Sequence, residues 1–285
     1  MRRPANPVGG YKLIAVDLDG TFLSASGEPH EADLAALRRC VERGVVVTIA
    51  TGRLYPGTRP AAQAIGIQGT VACADGSHLV RASDHVTLKH NGMHEEAARF
   101  IKKSVTAFEL PTFLFAADLI VHDESGDAFV PYVKTWSDDV RRTEKVADHP
   151  LWEERQAITA VVALGDEDSL LGCVERMRES ISNHVQIAAF PLRRLDGLWG
   201  MIARASSDTK GSALAEIAAS HGLGLEHCVA VGDWLNDVPM LEAAGRSFAM
   251  GQAPPEVKAA ATDVLTETSV GGGGVARAVS ICFGL

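Results

Sequence analysis

Continuous apolar runs that alternate with helical patterns most constrain the fold of this chain. Residues 12–17 form one such run, and Glu31 to Arg43 then places apolar residues at helical spacing. Val45 to Ala50 and Thr70 to Ala74 are further apolar runs. Strands that are apolar along their whole length are typical of a parallel sheet covered on both faces. The sequence therefore predicts an α/β fold with a parallel-sheet core.

Two carboxylates close the first apolar run. Leu13 to Val16 is followed by Asp17 and Asp19, with Leu18 between them. Residues i and i+2 of an extended segment point the same way, which predicts two neighbouring carboxylates at a strand tip. Buried charges are costly unless something pairs them, and a hard cation would do so. The alternative is a polar strand end followed by a Gly-Thr turn.

Polar residues follow the apolar strands at four places. They are Asp17 with Asp19, Thr51, Asp75 and Asp233. The carboxyl ends of parallel strands share one edge of an open sheet, and ligands bind there. Asp237 lies four residues after Asp233, and converging carboxylates repel one another without a cation. Mg²⁺ suits such a site, although Asp237 could also be an ordinary acidic residue at a helix start.

A lysine near the start of a later helix supplies a matching positive charge. Thr209-Lys210-Gly211 opens the helix, where the helix dipole disfavours a cation. A site that needs positive charge explains this position. The alternative for Lys210 is a solvated surface residue.

Composition limits the classes of partner. The 285 residues include 36 acidic and 27 basic side chains, which gives a formal charge of −9. Nucleic acids and anionic membranes are therefore poor partners, and a small anionic substrate would need local positive charge. The five cysteines form no C-x-x-C pair, and no apolar stretch approaches the ~20 residues that span a bilayer. We expect a cytoplasmic protein, either a monomer or a homodimer.

The strand and helix pattern changes near residue 85 and returns after residue 205. Between these points lie one long amphipathic pattern, His94 to Phe108, and several short strand patterns that suggest pairing. The sequence therefore predicts an α+β insertion over residues 86–192. The core would consist of residues 11–85 and 193–285.

Four segments resemble the motifs of the haloacid dehalogenase superfamily in order and spacing. They are Asp17-Leu18-Asp19-Gly20-Thr21, Thr51-Gly52-Arg53, Lys210-Gly211 and Gly232-Asp233-Trp234-Leu235-Asn236-Asp237. The segment Met250-Gly251-Gln252-Ala253 looks like that of the Cof-like, class IIB branch. The resemblance implies a Rossmann-like core. It also implies that residues 86–192 form a cap that sets substrate specificity.

The resemblance assigns a role to each matching residue. Asp17 would be the nucleophile and Asp19 the general acid and base. Thr51, Gly52 and Lys210 would bind the phosphoryl group, with Lys210 also neutralising charge. Arg53 and Asn236 would contact the substrate. Mg²⁺ would be held by Asp17, the Asp19 carbonyl and Asp233, with Asp237 acting directly or through water.

The implied activity is a Mg²⁺-dependent phosphatase of small phosphorylated metabolites, sugar phosphates above all, with an aspartyl-phosphate intermediate. A phosphomutase would use the same nucleophile but return the phosphoryl group to the substrate. A phosphometabolite-binding regulator with an inactive site is an alternative from another class of protein, and the intact acidic motifs argue against it. A dehalogenase is a further alternative, and the position of Asp19 argues for phosphorus chemistry.

The chain departs from the family pattern at three positions. Asp75 and Gln252 stand where the family usually has Asn, and Trp234 occupies a position that is more often small. We expect Trp234 to pack beside its loop. The cap candidates for substrate contact are His122, Arg193, Arg194, Asp196 and Trp199, and for each a structural or solvent-facing role is the stronger expectation.

Overall fold

The computed structural model describes residues 4–5, 7–134, 136–137, 139–181, 185–192, 197–205 and 208–285. The chain divides into two compact units. The first comprises Met1–Arg53, Thr58–Lys89 and Asp208–Leu285, and the second comprises Leu54–Gly57 and His90–Ser207.

The secondary structure alternates strands with helices. The strands are β1 Leu13–Val16, β2 Val46–Ile49, β3 Thr70–Cys73, β4 His78–Arg81, β5 Val86–His90, β6 Thr112–Ala116, β7 Leu119–His122, β8 Val140–Arg142, β9 Ala160–Asp166, β10 Val185–Pro191, β11 Leu198–Ala205, β12 Cys228–Gly232, β13 Arg246–Ala249 and β14 Asp263–Val264. The α-helices are α1 Glu31–Glu42, α2 Tyr55–Ile65, α3 Glu95–Ala107, α4 Val130–Val133, α5 Glu167–Ile181, α6 Lys210–Ser220, α7 Val238–Ala243, α8 Pro255–Ala260 and α9 Gly274–Phe283. Short 3₁₀ segments are Ala74–Gly76, Glu124–Phe129, Val146–Asp148, Pro150–Trp152, Leu225–His227 and Leu235–Asp237. Within the described residues, no helix combines the length and apolar character needed to cross a bilayer.

A five-stranded parallel sheet forms the centre of the first unit, in the order β14-β13-β12-β1-β2. All four residues of β1 are buried, because strands flank it on both sides and its two faces are covered. This burial on both faces explains the continuous apolar run in the sequence. The structure confirms the predicted α/β class with a parallel core.

A second, three-stranded sheet continues beside β2, in the order β3-β4-β5. Ala50 and Ala72 form a parallel bridge, and the Thr51 N–H donates to the Ala72 carbonyl over 2.9 Å. The carboxyl ends of β1, β2, β3 and β12 therefore run in one direction. The residues that follow these strands are brought to the same edge.

The second unit is built on a six-stranded sheet in the order β10-β11-β9-β6-β7-β8. Its strand pairs are antiparallel except for β7 with β8. The apolar faces of α3 and α5 share one hydrophobic core with this sheet, through residues such as Ile101, Val105 and Met177. The predicted α+β character of this region is confirmed.

The boundaries between the units differ from the predicted ones. β11 pairs with β9 and β10, with Leu198 opposite Asp166, so residues 198–205 belong to the second unit rather than to the core. β5 belongs to the β3-β4-β5 sheet, so residues 86–89 belong to the first unit. The predicted boundaries at 85/86 and 192/193 are therefore replaced by 89/90 and 207/208. The pairing of β5 and β11 moves both boundaries, and the second one now lies close to residue 205, where the strand and helix pattern returns.

Candidate active site

Asp17 continues β1 by one residue and is buried. Its N–H donates to the Val231 carbonyl over 3.0 Å, which extends the ladder with β12. Only 5% of Asp17 is exposed. Burial raises the pKa of Asp17 well above its ordinary value, Asp237 adds to the shift, and Lys210 opposes it. The central strand thus fixes one carboxylate at the carboxyl edge of the sheet.

Asp19 stands in a different environment because the chain turns after the strand. The Leu23 N–H donates to the Leu18 carbonyl over 2.8 Å, and the Gly20 N–H donates to the Leu23 carbonyl over 3.1 Å. The Asp19 side chain is 56% exposed, whereas Leu18 is buried. The extended segment that the sequence argument assumed ends at Val16, so Asp19 stands on a turn, and a common direction of the two carboxylates stays a prediction.

Lys210 is buried between two carboxylates at the first position of α6. Its Nζ lies 2.7 Å from Asp17 Oδ1 and 2.5 Å from Asp237 Oδ1. Burial alone would lower the pKa of Lys210, but the two carboxylates outweigh it and the net shift is upward. A residue that is 1% exposed is not a solvated surface lysine, so this alternative is excluded.

Local sequence explains why α6 begins at this point. The Ser212 N–H donates to Thr209 Oγ1 over 3.1 Å, and the Thr209 N–H donates to Ser212 Oγ over 3.0 Å, which forms a capping box. A Cβ on Gly211 would lie 2.4 Å from the Pro239 carbonyl oxygen, so glycine allows α6 to approach α7 closely. This approach brings Lys210 to the loop that precedes α7.

Asp237 braces the loop that follows β12. Its Oδ2 accepts the N–H groups of Asp233 and Trp234 over 2.8 and 3.0 Å, while its Oδ1 pairs with Lys210. The side chain is fully buried. Because Oδ2 already accepts two N–H groups and Oδ1 binds Lys210, this arrangement favours support of the metal through the loop or a water over direct ligation.

Asp17, Asp233 and Asp237 form an acidic cluster. Each offers a carboxylate oxygen, and these atoms lie within 4.8 Å of one another. Burial, followed by repulsion from Asp237, raises the pKa of Asp233 to about 6, against the opposing effects of Gln252, Lys210 and Thr21. Three carboxylates around one lysine favour an additional cation, and hard oxygen donors suit Mg²⁺. The residues present therefore fit the predicted metal.

Gly20 lets the first motif approach Asp233. Its φ is +86°, and a Cβ would lie 2.4 Å from Asp233 Oδ2. Both the left-handed backbone and the lack of space require glycine. The turn that carries Asp19 is consequently held directly against a carboxylate of the cluster.

The second motif supplies a buried hydroxyl and a partner for Asp19. Thr51 is 1% exposed, and its Oγ1 accepts the Arg53 N–H over 3.2 Å. Gly52 between them is half-buried. The Arg53 guanidinium binds Asp19 with two hydrogen bonds, from Nε over 2.8 Å and from Nη2 over 2.5 Å. The predicted substrate-binding arginine thus lies beside the predicted general acid.

Asn236 and Asp75 meet at the same edge. The Asn236 amide donates from Nδ2 to Asp75 Oδ1 over 2.8 Å. Asp75 is 7% exposed and has φ +55°, a left-handed conformation that Asn and Asp tolerate better than most residues. Asp75 thus fills the position of the family's usual Asn and binds a predicted site residue.

Trp234 is largely exposed, and its packing beside the loop stays a prediction. Trp234 is 56% exposed, and its neighbour Leu235 is 52% exposed. The Trp234 backbone is extended, and its N–H donates to Asp237 Oδ2 over 3.0 Å. Two large apolar side chains therefore stand exposed directly after Asp233.

Two of the cap candidates have structural surroundings. His122 is 4% exposed, stacks on Phe113 with ring centroids 5.2 Å apart, and forms a hydrogen bond between Nδ1 and the Asp123 carbonyl. Trp199 is partly buried and packs against the hydrophobic core of the second unit. The other candidates, Arg193, Arg194 and Asp196, lie outside the described residues.

Two residues that contact Asp233 received no role from the sequence. Thr21 Oγ1 donates to Asp233 Oδ1 over 3.3 Å, and Gln252 Nε2 donates to Asp233 Oδ2 over 3.2 Å. Thr21 is part of the first motif, and Gln252 is one of the departures from the family pattern. Gln252 lies 19 residues from Asp233 in the sequence, so no local pattern connects the two residues. Its departure from the family's usual Asn was the only feature of the sequence that pointed to it.

The comparison with known families agrees with this geometry. Residues 14–279 match the family of haloacid dehalogenase-like hydrolases. The chain belongs to this family. The match extends over both units and includes all the motif residues discussed above.

Curated relatives and solved structures match over nearly the whole chain. The pyridoxal phosphate phosphatase YbhA of Escherichia coli (strain K12) is 26% identical over 268 residues, which cover 90% of this chain and 94% of the relative. An HMP-PP phosphatase of Serratia proteamaculans (strain 568) is 27% identical, with 87% and 86% covered. A solved sugar phosphatase of subclass IIB has the same fold, with a TM-score of 0.75 at 19% identity and coverage of 96% and 99%.

Proposed function

We propose that this haloacid dehalogenase-like hydrolase is a Mg²⁺-dependent phosphatase of small phosphorylated metabolites. The observation that carries the proposal is Lys210, buried between Asp17 and Asp237 at the carboxyl edge of the parallel sheet. A fixed cation beside a fixed carboxylate suits phosphoryl transfer, which depends on positioning and charge neutralisation. The names of the two relatives support the same reaction class.

In the first step, an oxygen of Asp17 attacks phosphorus in line with the leaving alkoxide. The P–O bond to the leaving group breaks as the aspartyl-phosphate bond forms. Asp19, on the exposed turn, gives its proton to the departing oxygen. Lys210 neutralises charge on the phosphoryl oxygens, and the Thr51 hydroxyl and the Gly52 N–H bind the same group.

In the second step, Asp19 accepts a proton from a water that attacks the aspartyl-phosphate. Phosphate leaves and the Asp17 carboxylate is restored, so Asp19 is protonated again for the next turnover. The two hydrogen bonds from Arg53 orient the Asp19 carboxylate, and Arg53 and Asn236 are placed to contact the substrate. Asp17, the Asp19 carbonyl and Asp233 would hold Mg²⁺, with Asp237 supporting the loop. When bound, the ion supplies charge stabilisation for the transferring phosphoryl group.

The substrate class has two candidates. Sugar phosphates are the prediction from the sequence, and the subclass IIB structural relative is a sugar phosphatase. The exposed Trp234 and Leu235 favour a second candidate, phosphate esters of planar rings, since an indole face stacks on such rings. The relative that acts on pyridoxal phosphate supports this second class.

The test is release of inorganic phosphate from a panel of sugar phosphates, ring-bearing phosphates and an aryl phosphate, with Mg²⁺ and with excess chelator. Hydrolysis that depends on Mg²⁺ is expected. Turnover of any ester excludes the binding regulator, and a burst of free phosphate from the aryl ester excludes a mutase. Specificity control by the second unit, cytoplasmic location and the oligomeric state stay predictions.

A further inference from the structure

We propose that Gln252 is a positioning residue of the metal site. Its amide fixes the Asp233 carboxylate against the turn that carries Asp19. The inference rests on the proposed function in one respect, namely that the acidic cluster holds a divalent cation. Neither the family match nor the relatives assign a role to this position, which carries Asn in the usual family pattern.

The Gln252 amide makes three hydrogen bonds. Nε2 donates to the Gly20 carbonyl over 2.6 Å and to Asp233 Oδ2 over 3.2 Å. Oε1 accepts the Ser269 N–H over 3.1 Å. A backbone N–H can only donate and a carbonyl can only accept, so these partners fix the orientation of the amide. Both Nε2 protons are used, and both point to the metal site.

The contacts at Asp233 leave room for a cation. Among the residues that the structure describes, Thr21 donates to Oδ1 and Gln252 donates to Oδ2, so each oxygen accepts one of these hydrogen bonds. A carboxylate oxygen has two lone pairs, and one on each oxygen is left for a metal. Since Gly20 has no Cβ, its carbonyl and the carboxylate lie close enough for one amide to bind both. The hydrogen bonds from Thr21 and Gln252 therefore fix the plane of the Asp233 carboxylate from both of its oxygens.

The support for Gln252 reaches across the first unit. Ser269, which fixes the amide oxygen, forms a hydrogen bond through its carbonyl with His30 Nε2 over 2.9 Å. His30 is the residue that precedes α1. Gly272 passes His30 so closely that a Cβ would lie 2.2 Å from the ring. The loop of Ser269 and Gly272, which binds the Gln252 amide oxygen, is thus anchored at the start of α1.

The length of the side chain matters for this role. The amide of Gln252 spans from Ser269 on one side to Gly20 and Asp233 on the other. Asn is one methylene shorter and, from the same backbone position, cannot keep all three bonds. Loss of a residue that orients a metal ligand typically weakens metal affinity ~10–100-fold.

The experiment is calorimetric titration of Mg²⁺, and of Mn²⁺ as a second probe, into purified full-length variants. Gln252→Met keeps the length but removes the amide, and we expect the metal Kd to rise about 10-fold or more. Gln63→Met is the matched control, since Gln63 is an exposed residue of α2, and it should leave the Kd unchanged. Saturating Mg²⁺ should restore most of kcat in Gln252→Met, which a purely structural defect would not allow.

Three results would overturn the proposal. The first is a metal Kd for Gln252→Met within about twofold of both wild type and Gln63→Met, and the second is a loss of kcat that saturating Mg²⁺ does not restore. If Gln252→Met does not fold, Gln252→Leu takes its place, since it also lacks the amide, and the same limit on its metal Kd applies. If wild type hydrolyses esters with Mg²⁺ while these results are found, only the role of Gln252 fails. Absence of metal binding in wild type, the third result, would overturn the metal assignment as well.

Discussion

Asp17 is the residue on which the proposed chemistry depends. In Asp17→Asn the amide is a poor nucleophile, so we expect kcat to fall by at least about 10³-fold. The fold should persist, because the substitution removes one negative charge from a crowded acidic cluster. Phosphate release and thermal unfolding are the measurements, with the exposed Asp148→Asn as control. A folded variant that keeps a tenth of wild-type activity would contradict nucleophilic catalysis by Asp17.

Asp19 should matter most when the leaving group is poor. Asp19→Asn should slow sugar-phosphate hydrolysis by roughly 10²–10⁴-fold, because an alkoxide needs a proton as it departs. Phenolate from an activated aryl phosphate departs without a proton, so the phospho-enzyme should still form. It should then accumulate, because Asp19 also accepts the proton of the attacking water in the second step. Rapid-quench measurement should show a burst of phenol followed by slow turnover. Equal losses for both esters with no burst would make Asp19 a structural residue.

Trp234 separates the two candidate substrate classes. Trp234→Ala should change the free energy of unfolding by no more than about 0.5 kcal/mol, because the side chain is exposed. KM should rise for ring-bearing phosphates and stay constant for sugar phosphates, while Trp234→Phe should retain most of the affinity for rings. Identical KM changes for both classes would show that the indole does not select the substrate.

At the residue scale, the sequence predicted the convergence of Asp17 and Asp233 because parallel strands bring their carboxyl ends to one edge, whereas Lys210 was a candidate only through its charge at a helix start. The sequence could not predict the partners of single side chains. The contact of Gln252 with Gly20 joins residues 232 positions apart, and it depends on the exact path of two loops. The exposure of Trp234 likewise depends on the path of the loop after β12, which the sequence does not specify.

Among the elements, the close approach of α6 and α7 is what brings Lys210 to Asp237. Gly211→Ala places a Cβ 2.4 Å from the Pro239 carbonyl oxygen, so the helices must separate. Overpacking of this kind costs about 1–3 kcal/mol, although the better helix propensity of Ala offsets part of it. We expect a lower free energy of unfolding in urea together with a lower kcat.

Gly69→Ala is the matched control for this substitution. A Cβ at Gly69 would have no neighbouring atom within 4 Å, so stability and kcat should both be unchanged. If Gly211→Ala is as stable and active as Gly69→Ala, the spacing of α6 and α7 does not control the position of Lys210.

Elements with strong periodicity were predicted well, and those defined by pairing were not. The amphipathic pattern runs from His94 to Phe108, and the structure has α3 over Glu95–Ala107. The sequence assigned residues from 193 onward to the core and gave no sign that β11 lies between β9 and β10. The first three residues of β5 are exposed, and its only apolar residues are the alternating Val86 and Leu88, so no continuous apolar run links residues 86–89 to the core.

For the whole molecule, the unit boundaries predict which deletion leaves a folded core. Replacing residues 90–207 with a short linker should give a soluble protein, because the five-stranded sheet keeps all its strands. Replacing residues 86–192 instead leaves β11 without its partners β9 and β10, and an unpaired strand promotes aggregation. The soluble yield and the circular dichroism spectrum of the two deletion variants are the measurements that compare them. Equal solubility would contradict the boundaries at 89/90 and 207/208.

The acidic cluster also links stability, pH and metal. The pKa of Asp233 is raised from 3.8 to about 6 in the folded protein, so between these values the native state binds more protons than the unfolded state. Stability of the metal-free protein should therefore fall as pH rises through this window, and Asp17 shifts in the same direction. Mg²⁺ requires the deprotonated carboxylates and should reverse the loss above about pH 6.

Thermal unfolding with and without Mg²⁺ tests this linkage. At a concentration 100 times the Kd, a ligand that binds only the native state adds about 2.7 kcal/mol, so Tm should rise clearly at about pH 7.5. At about pH 5 protons compete for Asp233, and the rise in Tm should be much smaller. Asp233→Asn should remove the dependence on Mg²⁺, whereas Asp148→Asn should preserve it. An equal rise in Tm at both pH values would show that the ion binds away from the buried cluster.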